Sequence, residues 1–122
     1  MSNSILLGKA LGFAERIVRM YQFLCREKHE FVVSKQLLRC GTSIGANAAE
    51  AIEAVSKNDF LNKMFISLKE CSETLYWIEL LHRTDYLTDA QYMSIRSDCI
   101  ELKKMLTSIT KTTRRNIRSD EH

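Results

Sequence analysis

The stretch from Ser34 to Ala54 constrains the fold of this chain more than any other part of its sequence. Small residues recur there at steps of three and four, which on a helix places them along one nearly bare stripe. A glycine inside a helix costs about 1 kcal/mol relative to alanine, so the two glycines in this stretch call for a packing reason. We therefore predict a central helix that a neighbour approaches closely through a helix-packing motif of Gly41, Thr42, Gly45, Ala48 and Ala49, with Ile52 in the same stripe.

The whole chain is predicted to be one all-α domain over residues 1–122. It contains no proline and only four glycines, which leaves few residues for the turns of a sheet and suits long helices. Apolar spacing of three and four indicates helices over residues 4–28, 34–55, 58–83 and 88–118. Ser34 is a candidate N-cap, and Thr88 with Gln91 has the form of a capping box. Short joints between such helices favour an antiparallel up-down-up-down four-helix bundle.

The third predicted helix carries two apolar stripes. The stripe expected to face the core consists of Leu61, Met64, Leu68, Cys71, Leu75 and Ile78. A second set is in register on roughly the opposite side: Ile66, Glu70, Glu73, Trp77 and Leu81. An indole beside apolar neighbours has no reason to face solvent in a single-layer bundle, so this set predicts an oligomer interface. The alternative is that Trp77 covers a loop or a wide core.

Several motifs of the second and third helices resemble one family. They are Gln36-Leu-Leu-Arg39, Gly41-Thr-Ser-Ile-Gly-Ala-Asn47, Ala49-Glu50-Ala51, Phe60, Leu68-Lys-Glu70, Glu73-Thr-Leu-Tyr-Trp77 and Glu79-Leu-Leu81. Together they resemble the four-helix-bundle proteins encoded in intervening sequences of bacterial large-subunit (23S) ribosomal RNA genes, over most of residues 13–110. Cys40 departs from the serine more common in that family, which is a near-isosteric change.

The resemblance implies a small cytoplasmic bacterial protein that assembles into a ring, typically a homopentamer, and whose role is poorly established. A nucleic-acid function is inferred for the family from its genetic setting and basic surface. The family is also similar to the accessory proteins of diversity-generating retroelements, which are pentameric bundles that bind nucleic acid and a reverse transcriptase. A ring agrees with the second stripe of the third helix, which spacing alone indicates.

The formal charge of +3 is distributed unevenly. Residues 102–119 include no acidic residue and six basic ones: Lys103, Lys104, Lys111, Arg114, Arg115 and Arg118. Lys104, Lys111 and Arg118 are a heptad apart, a pattern that can follow phosphates along one strand. Secondary candidates lie on the first helix: Lys9, Arg16 and Arg19. The alternative is a solvated helix end that complements the macrodipole, and the absence of aromatic residues from this segment gives no support for base stacking.

No catalytic site, metal or cofactor is predicted. A carboxylate-bridged di-metal site needs Glu-x-x-His from two helices, whereas only Glu79-Leu-Leu-His82 has that form. The run Gly41–Gly45 lacks the lysine and the preceding strand of a phosphate loop. Thr42 and Asn47 are candidates for buried polar residues that fix helix register. Single, scattered cysteines predict reduced thiols in or near the core: Cys25, Cys40, Cys71 and Cys99.

Two functions follow as hypotheses. No apolar run of about eighteen residues and no leader segment is present, so we expect a cytoplasmic protein with no membrane partner. The first hypothesis is a ring of identical subunits that binds structured RNA or other nucleic acid through its basic residues. The second is a protein-interaction scaffold or accessory subunit, in which the basic helix end is incidental.

Overall fold

Four α-helices account for most of the chain that the computed structural model describes, residues 3–121. They are α1 (Asn3–Arg26), α2 (Val33–Ile52), α3 (Lys57–Arg83) and α4 (Asp89–Asp120). No strand occurs in the described range, so the all-α prediction with four helices is confirmed. α1 and α2 end earlier than expected, at Arg26 and Ile52. Within the same range, no helix is long and apolar enough to cross a membrane.

The start of α2 is capped by Glu30, and the prediction for Ser34 was wrong. The helix begins at Val33, so Ser34 already lies inside it. Glu30 Oε1 accepts a hydrogen bond from the backbone N–H of Ser34 at 2.6 Å. Its Oε2 accepts from the N–H groups of Val33 at 3.0 Å and Val32 at 3.2 Å. The first N–H groups of a helix have no partner within it, and a carboxylate just before the helix reaches three of these donors at once.

The other two internal helix starts are capped by hydroxyl groups. Ser56 Oγ accepts from the N–H of Asp59 at 3.0 Å. Thr88 Oγ1 accepts from the N–H of Gln91 at 3.1 Å, while Gln91 Oε1 accepts from the N–H of Thr88 at 2.9 Å. The predicted capping box is therefore confirmed, and it fixes the start of α4.

α2 and α3 form the middle of the bundle. α2 packs against α1 and α3, and α3 packs against α2 and α4, whereas α1 and α4 meet more sparingly. The buried residues of α3 are Met64, Ser67, Cys71, Thr74, Ile78 and Leu81. Leu68 and Leu75, which were predicted for the core stripe, pack against the edge of the core and stay partly exposed. Two hydroxyl residues, Ser67 and Thr74, therefore lie in the middle of the buried face of α3.

Those two buried hydroxyls join α3 to α2. Ser67 Oγ donates to the carbonyl oxygen of Ile44 at 2.7 Å. Thr74 Oγ1 hydrogen-bonds the carbonyl oxygen of Glu70 at 2.7 Å and lies 3.2 Å from Cys40 Sγ. A buried hydroxyl is tolerated where it has such a partner, so these positions can occupy the middle of the helix contact.

Thr42 and Asn47 do not fix the register between helices. Thr42 Oγ1 donates to the carbonyl oxygen of Leu38 at 2.7 Å, and Asn47 Nδ2 donates to that of Ser43 at 2.9 Å. Both partners belong to α2 itself. Because both side chains are only half-buried, they satisfy their polar groups locally, and that prediction was wrong.

The cysteines are free thiols, as predicted. Cys40, Cys71 and Cys99 are buried, and Cys25 is partly exposed. Burial raises the pKa of Cys40 to about 11. Hydrogen bonding with Cys71, together with burial, raises the pKa of Cys99. The thiolate is the reactive form of cysteine, so these two residues act as small core groups.

Candidate nucleic-acid and assembly surfaces

Basic residues form one exposed face along the second half of α4. Lys104, Lys111 and Arg118 follow one another at seven-residue steps, about 10.5 Å each at the rise of an α-helix. They are exposed, as is Arg115. Among the described residues, none of the four takes part in an ion pair. We call these four residues the basic face. Unpaired cations along one side of a rigid helix are the electrostatic footprint of a polyanion site.

Of the two further basic residues predicted on α4, one packs against an aromatic ring and the other is half-buried. The guanidinium carbon of Arg114 lies 4.9 Å from the centre of the Phe65 ring on α3, a cation–π contact. Lys103 is half-buried. Asp120, the first acidic residue after the basic face, pairs with Lys57 at the start of α3. The carboxylate closest in sequence is therefore held by another cation, and the basic face keeps its charge.

Two of the three basic candidates on α1 are paired with carboxylates of α4. Lys9 pairs with Glu101 at 3.2 Å, and Arg16 pairs with Asp98 at 2.5 Å. Both ion pairs bridge α1 and α4, so these two cations are neutralised along the contact between the helices. Arg19 is exposed and takes part in no ion pair of the described chain. Lys9 and Arg16 therefore add no free cation to the basic face.

The small residues of α2 allow α1 to approach closely. A Cβ atom added to Gly41 would lie 2.8 Å from Cγ1 of Ile17, and one added to Gly45 would lie 3.3 Å from Cβ of Ala10. Both distances are shorter than ordinary carbon contacts. Ala48 of the same motif is fully buried, so this side of α2 is in the core.

An apolar groove of about 410 Å³ lies between α1 and α2, and the sequence analysis missed it. Its walls include Leu7, Leu11 and Ala14 of α1, and Gly45, Ala46 and Ala49 of α2. Thr42 of the helix-packing motif lines it too. Leu11 is 65% exposed, although it is a large apolar residue. The signal that could have indicated the groove is the width of the small-residue stripe on α2, because one neighbouring helix does not cover all of it. We call this surface the α1–α2 groove.

The interface predicted on α3 is only partly on the surface. Ile66 is 40% exposed, but Leu81 is 1% exposed and belongs to the core. Leu81 follows Thr74 by seven residues and Ile78 by three, so the helical repeat places it in the buried stripe. Leu81 is therefore corrected from an interface residue to a core residue.

Arg39 of α2 holds the acidic residues of that stripe. Its guanidinium pairs with Glu73 and, at 3.4 Å, with Glu70. Trp77 Nε1 donates to Glu73 Oε2 at 3.0 Å. Hydrogen bonds from Arg39 and Trp77 lower the pKa of Glu73. Trp77 is half-buried and packs against the core, whereas Tyr76, which the sequence analysis did not single out, is 61% exposed.

Glu79 and His82, the two ends of the Glu-x-x-His sequence on α3, both make contacts at the surface. Glu79 pairs with Arg83 at 2.7 Å. His82 Nε2 lies 2.7 Å from Asp89 Oδ1, and its ring stacks on Tyr92 at 4.0 Å. In the described part of the chain, no group of three or more His, Cys, Asp or Glu side chains is placed to hold a metal ion.

Comparison with known proteins relates the chain to one family. The sequence model of the family described as 23S rRNA-intervening sequence protein matches residues 2–108. A crystal structure from Bacteroides thetaiotaomicron VPI-5482, described as a protein of unknown function from the S23 ribosomal protein family, is 55% identical. The alignment covers 91% of this chain and 99% of that chain, with a TM-score of 0.90. No curated protein matches. The motifs of α2 and α3 thus pointed to the right family.

Proposed function

This chain belongs to the 23S rRNA-intervening sequence protein family, and on that premise we propose that it is a non-enzymatic, ring-forming bundle protein that binds structured RNA or other nucleic acid. The observation that carries the proposal is the basic face of α4, with four exposed cations that no carboxylate of the described chain neutralises. Phosphate backbones attract such surfaces because binding releases condensed counterions. Repetition of the face around a ring would multiply the effect through effective concentration.

Ring assembly is part of the proposal, and two unlike surfaces support it. One is the α1–α2 groove, whose walls are small and apolar. The other is the outer side of α3, where Ile66 and Tyr76 are exposed. A contact between unlike surfaces of neighbouring copies is head-to-tail, and it closes into a ring when the rotation allows. The family resemblance implies five subunits in the ring.

The antiparallel order of the helices has support from two ion pairs. Along α2 from Arg39 to Glu50, the partners on α3 go back from Glu73 to Lys63. Short connections over residues 27–32, 53–56 and 84–88 agree with this order. We include the up-down-up-down arrangement in the proposal on these grounds.

A protein-interaction scaffold is the second candidate. Phe31 and Val32, in the connection between α1 and α2, are 52% and 74% exposed. Adjacent exposed apolar side chains suit a protein partner better than a polyanion. The distant similarity to retroelement accessory proteins, which bind a reverse transcriptase as well as nucleic acid, belongs with this candidate.

Binding to labelled structured RNA at about 50 and 200 mM salt, with the assembly mass recorded in the same buffers, tests the first candidate. We expect wild-type binding to weaken by orders of magnitude at the higher salt. Neutralising the basic face with Lys104→Gln, Lys111→Gln, Arg115→Gln and Arg118→Gln should abolish binding while the mass stays unchanged. Arg114 is left in place because it packs on Phe65.

A matched control separates a local charge effect from a global one. Arg26 and Lys35 are exposed on α1 and α2 and pair with no carboxylate among the described residues. A variant with Arg26→Gln and Lys35→Gln should bind as tightly as the wild type. Failure of the wild type to bind at low salt would reject the nucleic-acid function and favour the scaffold.

A further inference from the structure

We infer that the basic face of α4 recognises the phosphate backbone of a double-stranded nucleic acid, without reading its bases. This inference rests on the proposed nucleic-acid function and specifies the class of ligand. Three features of the described chain carry it: the side-chain chemistry around the face, the continuity of the helix that presents it, and the length of its row of charges.

The surroundings of the basic face offer no platform for base stacking. No Phe, Tyr or Trp occurs after Tyr92 in the sequence. Phe65 of α3 already packs against the Arg114 guanidinium at 4.9 Å, and Phe60 of α3 is partly buried against the core. Proteins that hold single strands without sequence preference combine a basic groove with stacking side chains. This surface has the charges but not the stacking side chains.

The hydroxyl groups of Thr107, Thr110 and Thr113 on α4 are committed to their own helix. Thr107 Oγ1 donates to the carbonyl oxygen of Lys103 at 2.8 Å, and Thr113 Oγ1 donates to that of Ile109 at 2.7 Å. The charged donors of the basic face are ammonium and guanidinium groups. Such groups position a protein on phosphates, whereas sequence is read by contacts to base edges.

The basic face is a row of charges on one continuous helix. α4 runs unbroken from Asp89 to Asp120, and the distance along its axis from Lys104 to Arg118 is about 21 Å at 1.5 Å per residue. A duplex presents about one phosphate charge per 1.7 Å of its axis in a fixed geometry. A single strand has a lower charge density and must also lose conformational entropy to follow a row of fixed charges. The fixed row therefore favours the duplex.

The test uses four labelled probes and the whole protein. The probes are an RNA duplex of about 20 base pairs, several times the length of the basic face, a scrambled duplex of equal composition, an unstructured oligo(U) strand and a DNA duplex of the same sequence. We expect the RNA duplex to bind at least about tenfold more tightly than oligo(U), and the two RNA duplexes to agree within about twofold, because backbone contacts carry no sequence information.

The salt dependence of the binding constant gives the number of phosphate contacts. Four neutralised phosphates predict a slope of log K against log salt of about −3.6 for a duplex. Lys104→Gln with Lys111→Gln should make that slope shallower by about 1.8, whereas Arg26→Gln with Lys35→Gln should leave it unchanged. Equal binding to RNA and DNA duplexes would attribute recognition to phosphate alone. Preference for the RNA duplex would add contacts to its 2′-hydroxyl groups and leave the backbone assignment standing.

Two results overturn the inference. Oligo(U) binding as tightly as the RNA duplex would show a single-strand site. A large difference in affinity between the RNA duplex and its scrambled counterpart would show base reading. Either result would leave the proposed nucleic-acid function intact. Failure to bind any of the four probes would instead remove the proposed function, and the inference with it.

Discussion

Gly41 shows how one absent methyl group sets the distance between two helices. The nearest atoms to an added Cβ are Cγ1 and Cγ2 of Ile17, at 2.8 and 2.9 Å. Both belong to the first branch of a β-branched side chain, whose χ1 angle has little freedom in a helix. The clash therefore cannot be relieved by a small rotation, and α1 would have to move away from α2.

We expect Gly41→Ala to lower the free energy of unfolding by about 1–3 kcal/mol, the usual cost of overpacking a core. Gly12→Ala is the matched control, because no atom lies within 4 Å of a Cβ at Gly12. Since alanine is the better helix former, that control should raise the free energy of unfolding by about 0.5–1 kcal/mol. Chemical denaturation of both variants measures the difference. Equal stabilisation by both would contradict the close contact with Ile17.

Charges were harder to predict at this scale than packing. The sequence identifies Lys9, Arg16 and Lys104 alike as basic residues, and it makes the first two secondary candidates only because they lie outside the basic segment of α4. Only the partners differ, because α4 places Glu101 and Asp98 against the two cations of α1 and no carboxylate against Lys104. Whether a cation is free depends on the residues of the neighbouring helix. The spacing of residues along one helix gives no information about them.

At the scale of the helix, the start of α2 depends on a titratable group. Burial of the Glu30 carboxylate would by itself raise its pKa, but hydrogen bonds from the N–H groups of Ser34, Val33 and Val32 outweigh burial and lower the pKa below its ordinary value of 4.5. A carboxyl group with a lowered pKa stabilises the fold at pH values above 4.5. That contribution is lost as the pH falls through the lowered, folded-state pKa.

We expect Glu30→Gln to lower the free energy of unfolding by about 1 kcal/mol at neutral pH, the usual loss when a helix cap is weakened. The difference from wild type should shrink as the pH falls below 4.5. Glu27→Gln is the control, because Glu27 is an exposed carboxylate in the same connection and takes no part in capping. Thermal unfolding monitored from pH 7 downwards distinguishes the two. A constant difference across that range would show that charge is not involved.

The stripe on α3 shows where prediction from spacing is limited. Apolar spacing correctly predicted a helix with Met64, Cys71 and Ile78 in the core. It also assigned Leu68 and Leu75 to the core, whereas the buried residues next to them are Ser67 and Thr74. A hydroxyl residue can be buried when a partner on another element satisfies it. The carbonyl oxygen of Ile44 on α2 satisfies Ser67, and a periodicity along α3 carries no information about that partner.

At the scale of the molecule, the sequence predicted the four helices and the family, but not which side chains the fold leaves free at the surface. The interface was expected on α3, yet Leu81 lies in the core and Arg39 engages Glu70 and Glu73 within the subunit. The small-residue stripe of α2 was predicted to be approached closely by a neighbouring helix. In the structure α1 covers only part of it, and the rest lines the α1–α2 groove. How much of a stripe is covered depends on helix placement, which is a property of the whole bundle.

Leu11 gives the most direct test of assembly through the α1–α2 groove. Because its side chain is 65% exposed in the single subunit, Leu11→Arg should fold normally while placing a charge on a surface that a second copy would desolvate. We expect circular dichroism to stay unchanged and the mass from light scattering to fall to that of a smaller species. Val32→Arg is the matched control, since Val32 is 74% exposed but lies in the connection between α1 and α2. It should keep the wild-type mass.

If the groove is an assembly contact, Leu11→Arg should also weaken nucleic-acid binding although it leaves the basic face intact, because separated subunits lose the effective concentration that a ring supplies. Retention of the wild-type mass by Leu11→Arg would contradict assembly through this groove.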